Sequence, residues 1–182
     1  VGAKVVFVDC CPDTYNIDCS LIKQKITTHT KAIIPVHLYG QIANMDEIIR
    51  IADKYRLYVI EDAAQSHFAS YCTCKGDWKN AGALSHIAAF SFFPGKNLGA
   101  FGDAGAVVTN DSILAKKVRM YANHGRVSKY DHKFEGYNSR MDTIQAAILN
   151  VKLKYIDDWT ARRREVAATY LDLLRDVSEI DL

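Results

Sequence analysis

Proline and tryptophan are scarce in this chain, at three and two residues among 182. So little proline excludes polyproline spacers and collagen-like tracts, and neither an internal repeat nor a low-complexity segment is present. An excess of charge of one sign is also missing. Lys and Arg number 23 against 21 Asp and Glu, and a net +2 gives no electrostatic footprint for nucleic acid. No window approaches about 18 uninterrupted apolar residues, which argues against a membrane span. The P-loop pattern fails too, because Gly95-Lys96 is followed by Asn97 where Ser or Thr is required. Cysteine is present without a framework. The five residues, Cys10, Cys11, Cys19, Cys72 and Cys74, are odd in number and lack repeated Cys-x-x-Cys spacing. Reduced thiols in a cytoplasmic protein are the expectation, and no metal site is assigned, although His67 and His86 lie near Cys72 and Cys74 in sequence.

What is there fits a soluble globular domain with 49% hydrophobic and 24% charged residues. The chain opens on Val1-Gly-Ala-Lys4 with no initiator methionine and closes without a stop-like feature, so a fragment is expected. The β-branched run 4–8 predicts a first strand ending at Asp9. Asp18 or Ser20 is placed to cap a short helix through Leu21, Ile22 and Ile26. Residues 32–38 form a second apolar run interrupted by Pro35. Met45, Ile48, Ile49, Ala52 and Tyr55 recur at helical spacing behind Asn44 as cap, and 57–60 reads as a strand closing on Glu61-Asp62. Strand, helix, strand alternation predicts parallel βαβ units with the sheet covered by helices.

Further along, 70–83 reads as an irregular excursion and 87–92 as a strand, with 105–109 placed to return as an antiparallel edge. A helix is predicted over 112–123, stopping at Gly125. Residues 126–139 are a long polar and aromatic loop. From Met141, apolar residues at 144, 148, 151, 155 and 159 predict one long helix reaching about 175, with Arg162–Arg164 as a solvated face.

Chemistry concentrates in the stretch 89–106, which places Lys96 among glycines and apolar residues. A lysine amine titrates near pH 10.4 in water, and desolvation favours the neutral nucleophile that condenses with a carbonyl to a Schiff base. Taken singly, an exposed loop lysine is the commoner reading. Asp62 alone reads as a turn cap and Ser91 as a tolerated polar residue. Together they form a set suited to pyridoxal phosphate. The lysine holds the aldehyde, the carboxylate pairs with the protonated pyridine nitrogen, and the serine with backbone N–H groups binds phosphate.

Four ordered motifs carry a resemblance: Val59-Ile-Glu-Asp-Ala-Ala-Gln-Ser-His67, Phe90-Ser-Phe-Phe-Pro-Gly-Lys-Asn-Leu-Gly99, Gly102-Asp-Ala-Gly-Ala-Val-Val-Thr-Asn110 and Gly136-Tyr-Asn-Ser-Arg-Met-Asp-Thr-Ile-Gln-Ala-Ala147. With Pro35-Val-His-Leu-Tyr-Gly-Gln41, they resemble the DegT/DnrJ/EryC1/StrS family of pyridoxal-phosphate-dependent sugar aminotransferases over essentially the whole chain. The resemblance implies an α/β, fold-type-I transferase: a partial large domain with a mostly parallel sheet covered by helices. It implies a cofactor-binding domain over 1–150, truncated at its N-terminal side, and a long helix over 151–182 leading toward a missing small domain.

By motif, Lys96 would be the Schiff-base lysine and proton shuttle, and Asp62 the partner of the pyridinium. Gln65 would contact the ring face or its 3-hydroxyl, and Ser91 the phosphate. Asn138 would reach the phosphate of a neighbouring subunit in a homodimer with shared sites. The implied substrates are a nucleotide-activated keto-deoxysugar, in wording nearest the 3-keto-6-deoxyhexose enzymes, and glutamate as amino donor. Dehydratases of the same family carry histidine in place of the lysine and remain an alternative chemistry, as does an inactive truncated fragment. Two departures bear on loop geometry: Phe68 stands where the family shows glycine, and Ser85-His86 where it shows Gly-Asp.

Overall fold

Helix α1, Cys19–Lys25, starts where Asp18 accepts a hydrogen bond from the Ser20 N–H, so of the two expected caps the aspartate serves. Helix α2, Met45–Tyr55, begins at Asn44, whose side chain accepts from the Glu47 N–H. It ends at Arg56 in the left-handed region, φ 56°, with the Arg56 N–H returned to the last turn. Its apolar stripe of Met45, Ile48, Ile51 and Ala52 is buried against Ile22, Ile33, Leu57 and Val59. The computed structural model describes residues 1–180; residues 181 and 182, the end of the segment expected over 151–182, lie outside the described residues.

Four strands form the main sheet in the order β1 (Ala32–Ile33), β2 (Tyr58–Asp62), β5 (Ile87–Ser91), β6 (Gly105–Val108). The first two pairings are parallel, and β6 returns antiparallel to β5, as the close Gly102–Gly105 turn suggested. Pro35 stops the β1 ladder because it has no N–H to give. The chain nevertheless keeps register past it: the Pro35 carbonyl accepts from the Asp62 N–H at 2.9 Å and Val36 bridges Asp62 in parallel.

Three expectations are corrected. Residues 4–8 form no strand; among the described residues no neighbour supplies a ladder, and Phe7 stays 84% exposed. The stretch 70–83 is a two-stranded hairpin, β3 (Ser70–Cys72) with β4 (Trp78–Asn80), rather than irregular. A distant carboxylate fixes it: Asp46 Oδ2 accepts from the Tyr71 hydroxyl at 3.0 Å and from the Cys74 N–H at 2.8 Å. After α3 (Ser112–Tyr121), capped by Asp111, the single helix expected from 141 to about 175 is two. Helix α4 (Thr143–Lys152) passes through a tightened 3-10 turn, Leu153–Tyr155, into α5 (Ile156–Leu173). That turn lies between Leu149 and Ile156, which are buried in one cluster with Leu98 and Ala100, while α5 is exposed over 161–173.

Candidate active site

Parallel strands present their carboxyl ends on one edge, and Asp62 and Ser91 stand there. Asp62 is the last residue of β2 and pairs with Ala89, two residues before Ser91 at the end of β5. One carboxylate oxygen of Asp62 accepts from the Ala64 N–H at 3.1 Å, which fixes the side chain against its own turn. Ser91 Oγ accepts from the Phe93 N–H at 3.3 Å, so its hydroxyl hydrogen remains free to donate.

Lys96 is half-buried in the loop between β5 and β6. The neck of that loop is closed by three backbone bonds: Phe92 N–H to Ala104 at 2.8 Å, Ala100 N–H to Phe92 at 2.7 Å and Lys96 N–H to Phe93 at 2.9 Å. Gly99 is required there, since a Cβ would run into the Pro94 carbonyl.

Ser91 and Lys96 line one cavity of about 680 Å3, together with Phe93, Asp103, Ser139, Arg140 and Met141. That volume is within the range of small-molecule sites, about 300–1,000 Å3. Asp62, Gln65 and Asn138 are not among the lining residues. Gln65 turns its amide oxygen to the Tyr39 N–H at 2.8 Å and so braces the Leu38–Gly40 turn. Asn138 is exposed, bridges Asn123, and gives its amide oxygen to Arg140 Nε at 3.2 Å. The expected set thus divides: Ser91 and Lys96 share a cavity, while Asp62 at the end of β2, Gln65 and Asn138 lie outside its lining.

Two buried groups escaped the sequence reading. Glu61 and His37 are fully buried and joined, Oε2 to Nε2, at 3.0 Å. The Ala43 N–H donates to His37 Nδ1 at 3.3 Å, so Nε2 carries the ring proton and donates to Glu61. The Glu61 carboxylate also accepts from the Gly82 N–H at 2.8 Å, the Leu84 N–H at 3.1 Å and Ser85 Oγ at 2.9 Å. Burial alone pushes its carboxyl up, but the hydrogen bonds from His37, Gly82 and Ser85 outweigh that and hold it below the usual range. A signal was available. Leu57, Val59, Glu61 and Ala63 alternate onto one buried face, as do Ile33, Pro35 and His37, so period two places both polar side chains in the core.

His67 is the second such group, 7% exposed between the rings of Phe90 and Phe92. Its Nε2 donates to the Ser91 carbonyl at 2.9 Å, and its buried Nδ1 has no partner among the described residues. Burial lowers its pKa and the nearby Lys96 adds to the effect, against the opposing bond to Ser91.

The departures are absorbed locally. Ser85 joins the Glu61 cluster, and His86 Nδ1 accepts the Val59 N–H at 3.1 Å. Phe68 occupies the left-handed region at φ 62°, a conformation that costs a non-glycine residue about 1–2 kcal/mol. Among the described residues no three His, Cys, Asp or Glu side chains gather as a metal site, and no helix is long and apolar enough to cross a membrane.

Comparison with known proteins places this geometry. A pleiotropic regulatory protein of Geobacillus stearothermophilus is 53% identical over 175 residues, 96% of this chain and 46% of its own length. A UDP-2-acetamido-2-deoxy-3-oxo-D-glucuronate aminotransferase of Pseudomonas aeruginosa is 53% identical over 170 residues, 93% of this chain and 46% of its own. The chain thus spans about half the length of these curated relatives. The crystal structure of NtdA from Bacillus subtilis with bound cofactor PMP superposes with a TM-score of 0.85 at 37% identity, covering 96% of this chain and 39% of that one. Residues 1–182 match the model of the DegT/DnrJ/EryC1/StrS aminotransferase family from end to end, and the chain belongs to that family.

Proposed function

We propose that this chain is the cofactor-binding half of a pyridoxal-phosphate-dependent aminotransferase acting on a nucleotide-activated keto-deoxysugar, with glutamate as donor. The observation that carries the reading is Lys96 and Ser91 facing one cavity at the carboxyl edge of a parallel sheet. The donor set suits the cofactor: two cationic side chains, Lys96 and Arg140, outnumber the one carboxylate, Asp103, and with the hydroxyls of Ser91 and Ser139 they surround space for an anion that bears an aldehyde. Pyridoxal phosphate supplies that aldehyde and an electron-withdrawing ring.

The residues divide the work by which of their atoms are already engaged. Lys96 would hold the cofactor through its aldehyde, and its amine, freed when the donor's amine takes its place, would move the proton at the reacting carbon. Asp62 keeps one oxygen on the Ala64 N–H and has the other for a protonated ring nitrogen. Near an effective dielectric of 20, an ion pair at about 4 Å is worth roughly 4 kcal/mol before desolvation. Gln65 has its oxygen on Tyr39, leaving its NH2 to donate to a ring hydroxyl. Ser91 accepts from Phe93 and donates outward to phosphate, and Asn138, its oxygen held by Arg140, donates to the phosphate of a second subunit. The dimer and the cytoplasmic location belong to this same reading.

The test is borohydride reduction of the complete protein with pyridoxal phosphate. A covalent label on Lys96 is expected, and Lys96→Ala should lose about 10²–10⁴-fold in transamination of the sugar nucleotide. Normal turnover by Lys96→Ala would sink the assignment. A deoxygenated product formed without glutamate would move it to the dehydratases.

A further inference from the structure

The geometry points to Gln145 as a positioning residue for Lys96, an inference that rests on reading Lys96 as the covalent anchor. Gln145 lies near the end of the motif 136–147, whose last residues have no role in the chemistry above. Helix α4 places it at the head of a stripe, Gln145, Leu149, Lys152, continued past the 3-10 turn by Ile156. Every member of that stripe meets the loop that carries Lys96. Gln145 Oε1 accepts from the Phe101 N–H at 2.8 Å. Its Nε2 lies against the α-carbon of Gly102, where an added Cβ would stand 2.9 Å from it. Leu149 and Ile156 are buried with Leu98 and Ala100. Lys152 Nζ donates to the Gly99 carbonyl at 2.6 Å and stands 5.0 Å over the Phe101 ring.

The loop is therefore held from two sides. Backbone bonds at Phe92, Ala100 and Ala104 close its neck, and α4 grips its returning arm at 98–102. Lys96 lies on the outgoing arm and is tied to Phe93 by its own N–H. With the return arm released, only the neck would define where Nζ points into the cavity. Gln145 is the one stripe residue whose polar atom takes a loop N–H, and so it fixes the arm's height along α4 as well as its distance. It is not among the residues that line the cavity, which makes it positioning rather than catalytic.

The test uses the complete protein with Gln145→Met, which keeps length but loses the acceptor, and Gln145→Glu, which keeps the acceptor. Lys152→Met is the second route to the same arm. In the cofactor-free protein, Gln145→Met should raise amide exchange over 98–104 about three- to tenfold, the range for one hydrogen bond exchanged for water. Strand β5 should exchange as in the parent. Borohydride trapping of pyridoxal phosphate on Lys96 should slow by a similar factor, and Gln145→Glu should restore both readings. Unchanged loop exchange, a rise spread equally through β5 and α4, or faster exchange with trapping unaltered would each overturn the proposal. A parent protein that takes no label on Lys96 would instead remove the anchor itself, a failure that the exchange data alone do not produce.

Discussion

At the scale of single residues, the site owes its shape to which polar atoms are already occupied. His67 shows this most directly, because its Nε2 is spent on the Ser91 carbonyl while its Nδ1 is buried without a partner among the described residues. A second proton on that ring would have no acceptor and would stand near Lys96. Its folded pKa is accordingly held below 6.5, so the unfolded chain takes up the proton first. Stability that is complete above pH 6.5 is lost as the pH falls through the lower folded value. Thermal midpoints of the parent and of His67→Gln, which retains a donor for Ser91, should differ by a constant amount above pH 6.5. Below pH 6.5 the parent should fall more steeply, and curves that stay parallel there would refute the account.

At the scale of elements, helix α2 tests both of its ends with opposite signs. Asn44→Ala removes the side chain that accepts from Glu47 and should cost about 1 kcal/mol. Arg56→Gly should stabilise by about 0.5–1 kcal/mol, because glycine enters φ 56° without the Cβ penalty. Denaturant midpoints for the pair, with unchanged slopes, check both. The same helix explains what could be read in advance. Its stripe, its asparagine cap and the alternation of β2 are local patterns, and each was legible in the sequence together with the carboxyl-edge position of Asp62. Hairpin β3–β4 was not, because its register depends on Asp46, which is remote in sequence and sits in α2. The run 4–8 carried strand chemistry, but a strand needs a neighbour, and the sequence does not say whether one is present. The turn at Leu153–Tyr155 escaped because the apolar spacing continues straight through it. At the site, motifs named the five candidate residues, whereas the Glu61–His37 pair was visible only as two polar residues on buried strand faces.

At the scale of the whole molecule, the chain leaves much apolar surface uncovered. Ile144 in the first turn of α4 is 66% exposed, and Leu173 at the end of α5 is 73% exposed. The chain is about half the length of the relatives it matches, so the assembled site is properly tested on the complete protein. If Asn138 serves a neighbour's phosphate, Lys96→Ala and Asn138→Ala subunits carry complementary defects. Mixed after dissociation, they should regain roughly a quarter of parental activity, since half the dimers are hybrids and each hybrid holds one intact site. A mixture no better than the average of its parts would place the whole site within one chain.

The neck of the Lys96 loop has a consequence for how such a site can diverge. Phe92 both donates to Ala104 and accepts from Ala100, so the outgoing and returning arms meet at a single residue at the end of β5. A chain that departs and comes home at the same rung can be lengthened or rewritten at its tip without shifting the strands on either side. Register and reach are uncoupled there. The strands can keep their pairing while the loop beyond the neck is remodelled for a different substrate.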